Sequence, residues 1–199
     1  MPKETDKQET RDAILDAAER LLDRYGYGKM TMNDLAEEAK IGVGTTYLHF
    51  AGKADVALGV VERFNVHVRS VLETGAAGAG PPDQRLREML IARVMLRFDA
   101  LRLHRHPMEE FKSAVQEGIA ARRVCWIAEE TKIVQSLLEE GQAAGVFSVA
   151  DVPATAETLM RATVCLMPRY LTTDDFAHPS RVREKTEQLA DLLLRALHP

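Results

Sequence analysis

Residues 41–53 read IGVGTTYLHFAGK, and the fold turns on what these glycines are for. A Walker-type phosphate loop places a glycine five residues before its Gly-Lys pair and a hydroxyl directly after the lysine. Tyr47 and Ala54 stand at those places. A dinucleotide fingerprint starting at Gly42 would need glycine at 47 and a strand before it, and finds neither. The other reading is a glycine turn that opens a short helix. A helix lying in the major groove turns its first residues to base edges, so small residues there let its backbone come close. Val43 and Gly44 meet that need, and Thr45 and Thr46 supply short hydroxyls and methyls. Tyr47 and His49 supply donors at phosphate height, and Lys53 begins the next helix, where the helix dipole favours an anion. No Asp or Glu occurs between Lys40 and Lys53, although acids are dense before and after.

The flanking segments read as helices. Ile14, Leu15, Ala18, Leu21, Leu22 and Tyr25 recur at three- and four-residue steps, predicting a helix over 10–25 that stops at Gly26 and Gly28. Thr31 and Asp34 have the spacing of a capping box opening a second helix, with Leu35, Ala36 and Ala39 on its inner side. Gly42 breaks that run, and a third helix carries Val43 through Phe50; helix, glycine turn, helix is a helix-turn-helix pattern. Val56, Val60, Phe64, Val68 and Val71 mark a fourth, which ends at the glycine-rich linker 75–82.

Beyond the linker, Leu86, Leu90, Val94, Phe98 and Leu101 stripe a helix near 84–104, and Met89, Ile91 and Met95 widen the stripe as in a central helix. His106-Pro107 is expected to end it. A short helix near 108–116, a long one near 118–144, one near 153–171 and a last one from Pro179 follow. No segment of any length has a strand's period, so the fold class is all-α. About nine helices are expected, as a three-helix helix-turn-helix head over 1–52 and a larger helical body over 53–199.

Composition sets outer bounds. With 46% hydrophobic and 28% charged residues, the chain has the balance of a globular protein with a substantial core. The net charge of −4 argues against indiscriminate coating of nucleic acid. No run has the apolar length of a membrane span and no apolar export core follows Met1, so a cytoplasmic location without membrane contact is expected. Cys125 and Cys165 lie in apolar-periodic segments and read as reduced core thiols. His104 and His106 fall on different helix faces with no third ligand nearby, so neither a metal nor a cofactor is expected.

Ile14 through Leu22, Thr31 through Ala39, and Gly44-Thr45-Thr46-Tyr47-Leu48-His49-Phe50 with Lys53 together resemble the amino-terminal head of the TetR family of transcriptional regulators. The resemblance implies phosphate contacts from Thr31, Tyr47, His49 and Lys53, with Asn33, Val43, Gly44, Thr45 and Thr46 near bases. The chain departs from the family in the turn, where Gly42-Val43 replaces the more usual serine or lysine. Discrimination is then left to thymine methyls, Asn33, a basic arm around Lys3, Lys7 and Arg11, or DNA shape.

For the body the resemblance implies a pocket for a small apolar or amphipathic effector. Met89, Met95, Phe98, Met108, Trp126, Met160 and Met167 are candidate lining residues, and Arg93, Arg97 and Thr163 candidate polar fixings. It also implies a homodimer formed by the last two helices through Leu159, Met167, Leu189 and Leu193, although Pro168 interrupts a helix that is usually unbroken. Glu129-Glu130 and Glu139-Glu140 read as solvated faces. The expectation is a ligand-responsive repressor released from a near-palindromic operator, the signal passing through the helix after Lys53. Control by a protein partner is one alternative. A small all-α enzyme is the other, but no nucleophile with a nearby base, paired acids or metal constellation supports it, so no catalytic residue is expected.

Overall fold

The computed structural model describes residues 4–102 and 109–198, and among these all regular structure is helical, with no strand. The α-helices are α1 (Glu4–Tyr25), α2 (Met32–Glu38), α3 (Val43–His49), α4 (Lys53–Ala76), α5 (Pro82–Arg102), α6 (Glu109–Ala143), α7 (Val152–Ala162), α8 (Thr173–Ala177) and α9 (Pro179–Arg195). The chain forms two compact units, one of Met1–Asn65 with His104–Arg123 and the other of Val66–Leu103 with Val124–Pro199, so α4 and α6 contribute residues to each. None of the described helices is long and apolar enough to cross a membrane.

In the first unit, Ile14, Leu15, Ala17, Ala18, Leu21 and Leu22 of α1 bury the face that their spacing predicts. Met30, Leu35, Phe50, Val56 and Ala57 complete the core, together with Phe111 and Val115 of α6. The chain leaves α1 through Gly26, whose φ of +80° is the left-handed cap expected there. α1 begins earlier than its apolar stripe, because polar pairs such as Thr10 Oγ1 to the Asp6 carbonyl and Gln8 to Asp12 sustain the first turns. The expected arm is accordingly helical from Glu4; Arg11 lies 4.8 Å from the Phe50 ring and pairs with Glu62 at 3.5 Å.

In the second unit α5 is buried on several faces, as a central helix should be, with Leu86, Met89, Leu90, Ile91, Val94, Met95 and Phe98 all in the core. Arg87 of α5 pairs with Asp191 of α9 at 2.5 Å, which holds the Asp191 carboxyl below its ordinary value and the Arg87 guanidinium above its own.

Two expectations about the elements and one about the cysteines are corrected. The two helices read near 108–116 and 118–144 are a single α6 across Gly118. That glycine is an approach, not a break: a Cβ there would run into the Leu58 side chain. The helix expected over 153–171 ends at Ala162 and gives way to 3-10 turns at Thr163–Leu166 and Pro168–Tyr170. Pro168 has no N–H to extend an α-helix, and Met167 before it is extended at ψ 146°, the conformation a proline imposes on its predecessor. Cys125 and Cys165 are free as expected, but both are exposed, not core residues.

Candidate nucleic-acid interface

The turn into α3 is built by a helix-ending motif. The Ile41 amide donates to the Ala36 carbonyl at 2.9 Å and the Lys40 amide to the Glu37 carbonyl at 3.1 Å, while Lys40 adopts φ +58°. Glycine is the usual residue at such a position; here a lysine carries the left-handed strain and puts a cation at the edge of the acid-free window. Ile41 packs on the head core, which fixes where α3 starts. At the opposite end of α2, Thr31 and Asp34 form the expected capping box, with Asp34 N–H to Thr31 Oγ1 at 3.2 Å and Thr31 N–H to Asp34 Oδ2 at 2.9 Å.

α3 has two faces. At 3.6 residues per turn, Val43 and Tyr47 share one stripe and Gly44 and Leu48 the next, with Thr46 on the far side. Val43 is 41% exposed, Tyr47 55% and Leu48 85%, whereas Thr46 is fully buried. Thr45 and His49 are half-buried on the flanks, and Gly44 is exposed. A Cβ added at Gly44 would meet nothing within 4 Å. No packing inside the chain therefore requires glycine at this helical position, which alanine would fill at lower cost.

Of the residues expected to contact DNA, Val43, Gly44 and Tyr47 lie on this outward face, and Asn33 and Thr31 are exposed on α2 and at its cap. Thr46 is corrected: its side chain is inside the head, and its hydroxyl has no hydrogen-bond partner among the described residues. Lys53 is redirected. Its ammonium donates to the carbonyls of Tyr27 at 3.2 Å and Gly28 at 3.3 Å and sits 4.4 Å from the Tyr27 ring centroid. Burial, and secondarily the Glu110 carboxylate, push the Tyr27 phenol upward, so the ring meets Lys53 as a neutral phenol. The amino end of α4 is also already served by an acid, since Asp55 accepts from the Ala51 amide at 3.0 Å. Leu48, outside the expected set of contact residues, joins the exposed stripe through its step of four from Gly44.

The described candidate effector residues lie in the second unit. Met89, Met95, Phe98, Met160 and Met167 are buried and Trp126 is half-buried; Met108, with His104, His106 and Lys3, lies outside the described residues. Both arginines among the polar fixings converge on Glu130, and Thr163 accepts from one of them. Arg93 Nε donates to Glu130 Oε2 at 2.8 Å and Arg93 Nη1 to Thr163 Oγ1 at 2.6 Å; Arg97 also pairs with Glu130. Arg93 and Glu130 are 4% and 3% exposed, which corrects the solvated-face reading of Glu130. Burial pulls the Arg93 guanidinium below its ordinary pKa, and Glu130 opposes the shift.

The proposed interface residues divide. Leu159 and Met167 are buried within the chain itself and are corrected to core residues, while Leu189 and Leu193 are half-buried beside Leu192, which is 62% exposed.

Comparison with known proteins places the head. Residues 14–60 match the family model described as bacterial regulatory proteins, tetR family. An HTH-type transcriptional regulator of Staphylococcus aureus (strain USA300) is 40% identical over 58 residues, which are 29% of this chain; the match spans 31% of that relative's length. Among solved structures, a TetR-family transcriptional regulator from Pectobacterium atrosepticum is similar at TM-score 0.69 and 20% identity, covering 99% of this chain and 98% of that one. FadR from Bacillus subtilis in complex with stearoyl-CoA is similar at TM-score 0.56 and 17% identity, covering 94% and 98%. These two likenesses are likenesses of fold. Over residues 14–60 the helix-turn-helix of this chain is thus similar to the head of the TetR family.

Proposed function

We propose that this chain, whose head is similar to that of the TetR family, is a DNA-binding transcriptional regulator, a repressor released from its operator by a small effector. The observation that carries the proposal is the outward face of α3: an exposed glycine with no internal reason to be glycine, beside exposed Val43 and Tyr47, in a stretch without acids. A duplex is the partner that such a face suits, because its backbone brings negative charge and its groove demands close approach. The division of labour is a head over 1–52 for DNA and a body over 53–199 for the effector and for dimerisation.

In the body, the buried methionines together with Arg93, Thr163 and Glu130 support an apolar or amphipathic effector with a polar group to orient. The stearoyl-CoA complex of the Bacillus subtilis neighbour supports the same reading by analogy of fold. A homodimer would use α9, where Leu189, Leu192 and Leu193 form an apolar stripe that the chain leaves partly open. Two heads on one two-fold axis read half-sites about 34–36 Å apart, so the operator is a near-palindrome.

The test is selection of duplexes from a random pool by the full-length protein, followed by a screen for compounds that release the selected duplex. A near-palindrome is expected, and Tyr47→Phe should weaken its binding while the circular dichroism spectrum is unchanged. Recovery of no sequence above the random background would overturn the proposal.

A further inference from the structure

Of the four bases, only thymine offers an apolar group to the major groove, its C5-methyl; the others present donors and acceptors alone. The outward face of α3 is matched to that group. Val43 and Leu48 are branched aliphatic side chains, 41% and 85% exposed, and they flank Gly44, where backbone can approach a groove without a Cβ in the way. Among the described residues Leu48 is the most exposed of the large hydrophobic side chains, yet it sits within the acid-free window where a duplex would lie. Of the hydroxyls on this helix, that of Thr46 is buried and Thr45 is half-buried, so only the Tyr47 phenol shares the exposed stripes. No Arg, Lys, Asn or Gln occurs in α3, so the side chains that pair bidentately with guanine or adenine are missing from it.

We propose that α3 selects its DNA through thymine C5-methyl groups, held by the aliphatic side chains of Val43 and Leu48. The inference rests on the DNA-binding reading and specifies what that binding recognises. Bases contacted by α3 should be dominated by thymines, and any bidentate reading of adenine should come from elsewhere, such as Asn33 of α2.

The experiment takes the duplex selected by the full-length protein and replaces each thymidine in turn by deoxyuridine, which keeps the pairing and removes only the methyl. For the unaltered protein, at least one thymine in each half-site should lose about fourfold in affinity on this change, the worth of one buried methyl. The Val43→Ala/Leu48→Ala variant should bind the two duplexes equally; both residues are exposed, so its fold is expected to be intact and circular dichroism will show it. If the unaltered protein keeps sequence-selective binding but is indifferent to deoxyuridine throughout, the methyl readout is wrong and the DNA-binding reading stands. If the variant retains the full methyl sensitivity, other side chains hold the methyls and the assignment to Val43 and Leu48 fails. If no duplex is selected at all, the underlying regulator proposal fails with it.

Discussion

The exposed stripes of α3 and the buried Arg93–Glu130–Arg97 cluster solve opposite problems. On α3 the side chains are left without partners inside the head: Val43, Tyr47 and Leu48 reach into solvent, and Gly44 gives up helix propensity with no contact in return. In the second unit the polar groups are withdrawn from water and made to satisfy one another, with Glu130 accepting from two guanidiniums and Thr163 from Arg93. A surface that keeps unfavourable choices is shaped for something outside the chain. A buried cluster that is closely paired serves the fold first, and any effector using it has to exchange its own polar group for one of these bonds.

The largest expected effect belongs to the buried side of this contrast. Glu130→Gln would leave Arg93 and Arg97 facing each other without their shared counter-charge, at a site where burial already depresses the Arg93 pKa. Breaking a buried ion pair from one side typically costs about 3–5 kcal/mol, so urea denaturation should show a loss of that order. Arg93→Met combined with Glu130→Met should be less damaging than Glu130→Gln alone, because the more deeply buried of the two guanidiniums no longer stands without its counter-charge. A single Glu130 variant as stable as the unaltered chain would mean that the cluster is open to water.

The head should behave in the reverse way, with stability and binding moving apart. Gly44→Ala adds helix propensity worth up to about 1 kcal/mol at a position where the new methyl meets nothing inside the chain. Thermal unfolding should therefore rise while affinity for the selected duplex falls at least about tenfold, equivalent to about 1.4 kcal/mol. Lys40→Gly relieves the left-handed strain at φ +58° and should also stabilise by about 1 kcal/mol, with a smaller loss of affinity from the missing cation. If Gly44→Ala bound DNA normally, the outward face of α3 would not be the face that meets the duplex.

How much of this was legible in the sequence differs between the same two regions. The caps and turns of the head are local, so Thr31 with Asp34, Gly26 and the break at Gly42 could be read directly from spacing, and α1 to α3 follow from them. In the body the decisive facts are long-range. Glu130 sits beside Glu129 and looks like half of a solvated pair; only the packing of α5 against its neighbours makes it the partner of Arg93, 37 positions away. Gly118 has the same ambiguity, since a glycine inside an apolar pattern marks either a break or a close approach, and Leu58 decides for the second. Pro168 could be read as a helix stop, but the short α8 behind it, held by its own Thr172–Asp175 capping box, could not be anticipated from hydrophobic period in so few residues.

Thr46 joins the two regions of the comparison in one residue, since it belongs to α3 but lies on the buried side. Its hydroxyl is enclosed and has no partner among the described residues, so the desolvation of that group is uncompensated. Thr46→Val keeps the shape and removes the polar atom; a gain of about 1 kcal/mol in folding stability is expected, with affinity for DNA unchanged. Thr46→Ser keeps the hydroxyl and deletes a buried methyl, and should lose about 1 kcal/mol. Paired urea titrations and duplex-binding measurements on these two variants separate the residue's packing from any role in recognition. Weaker DNA binding by Thr46→Val at undiminished stability would show that the hydroxyl turns outward when the duplex arrives, and would move Thr46 from the buried side of α3 to the reading side.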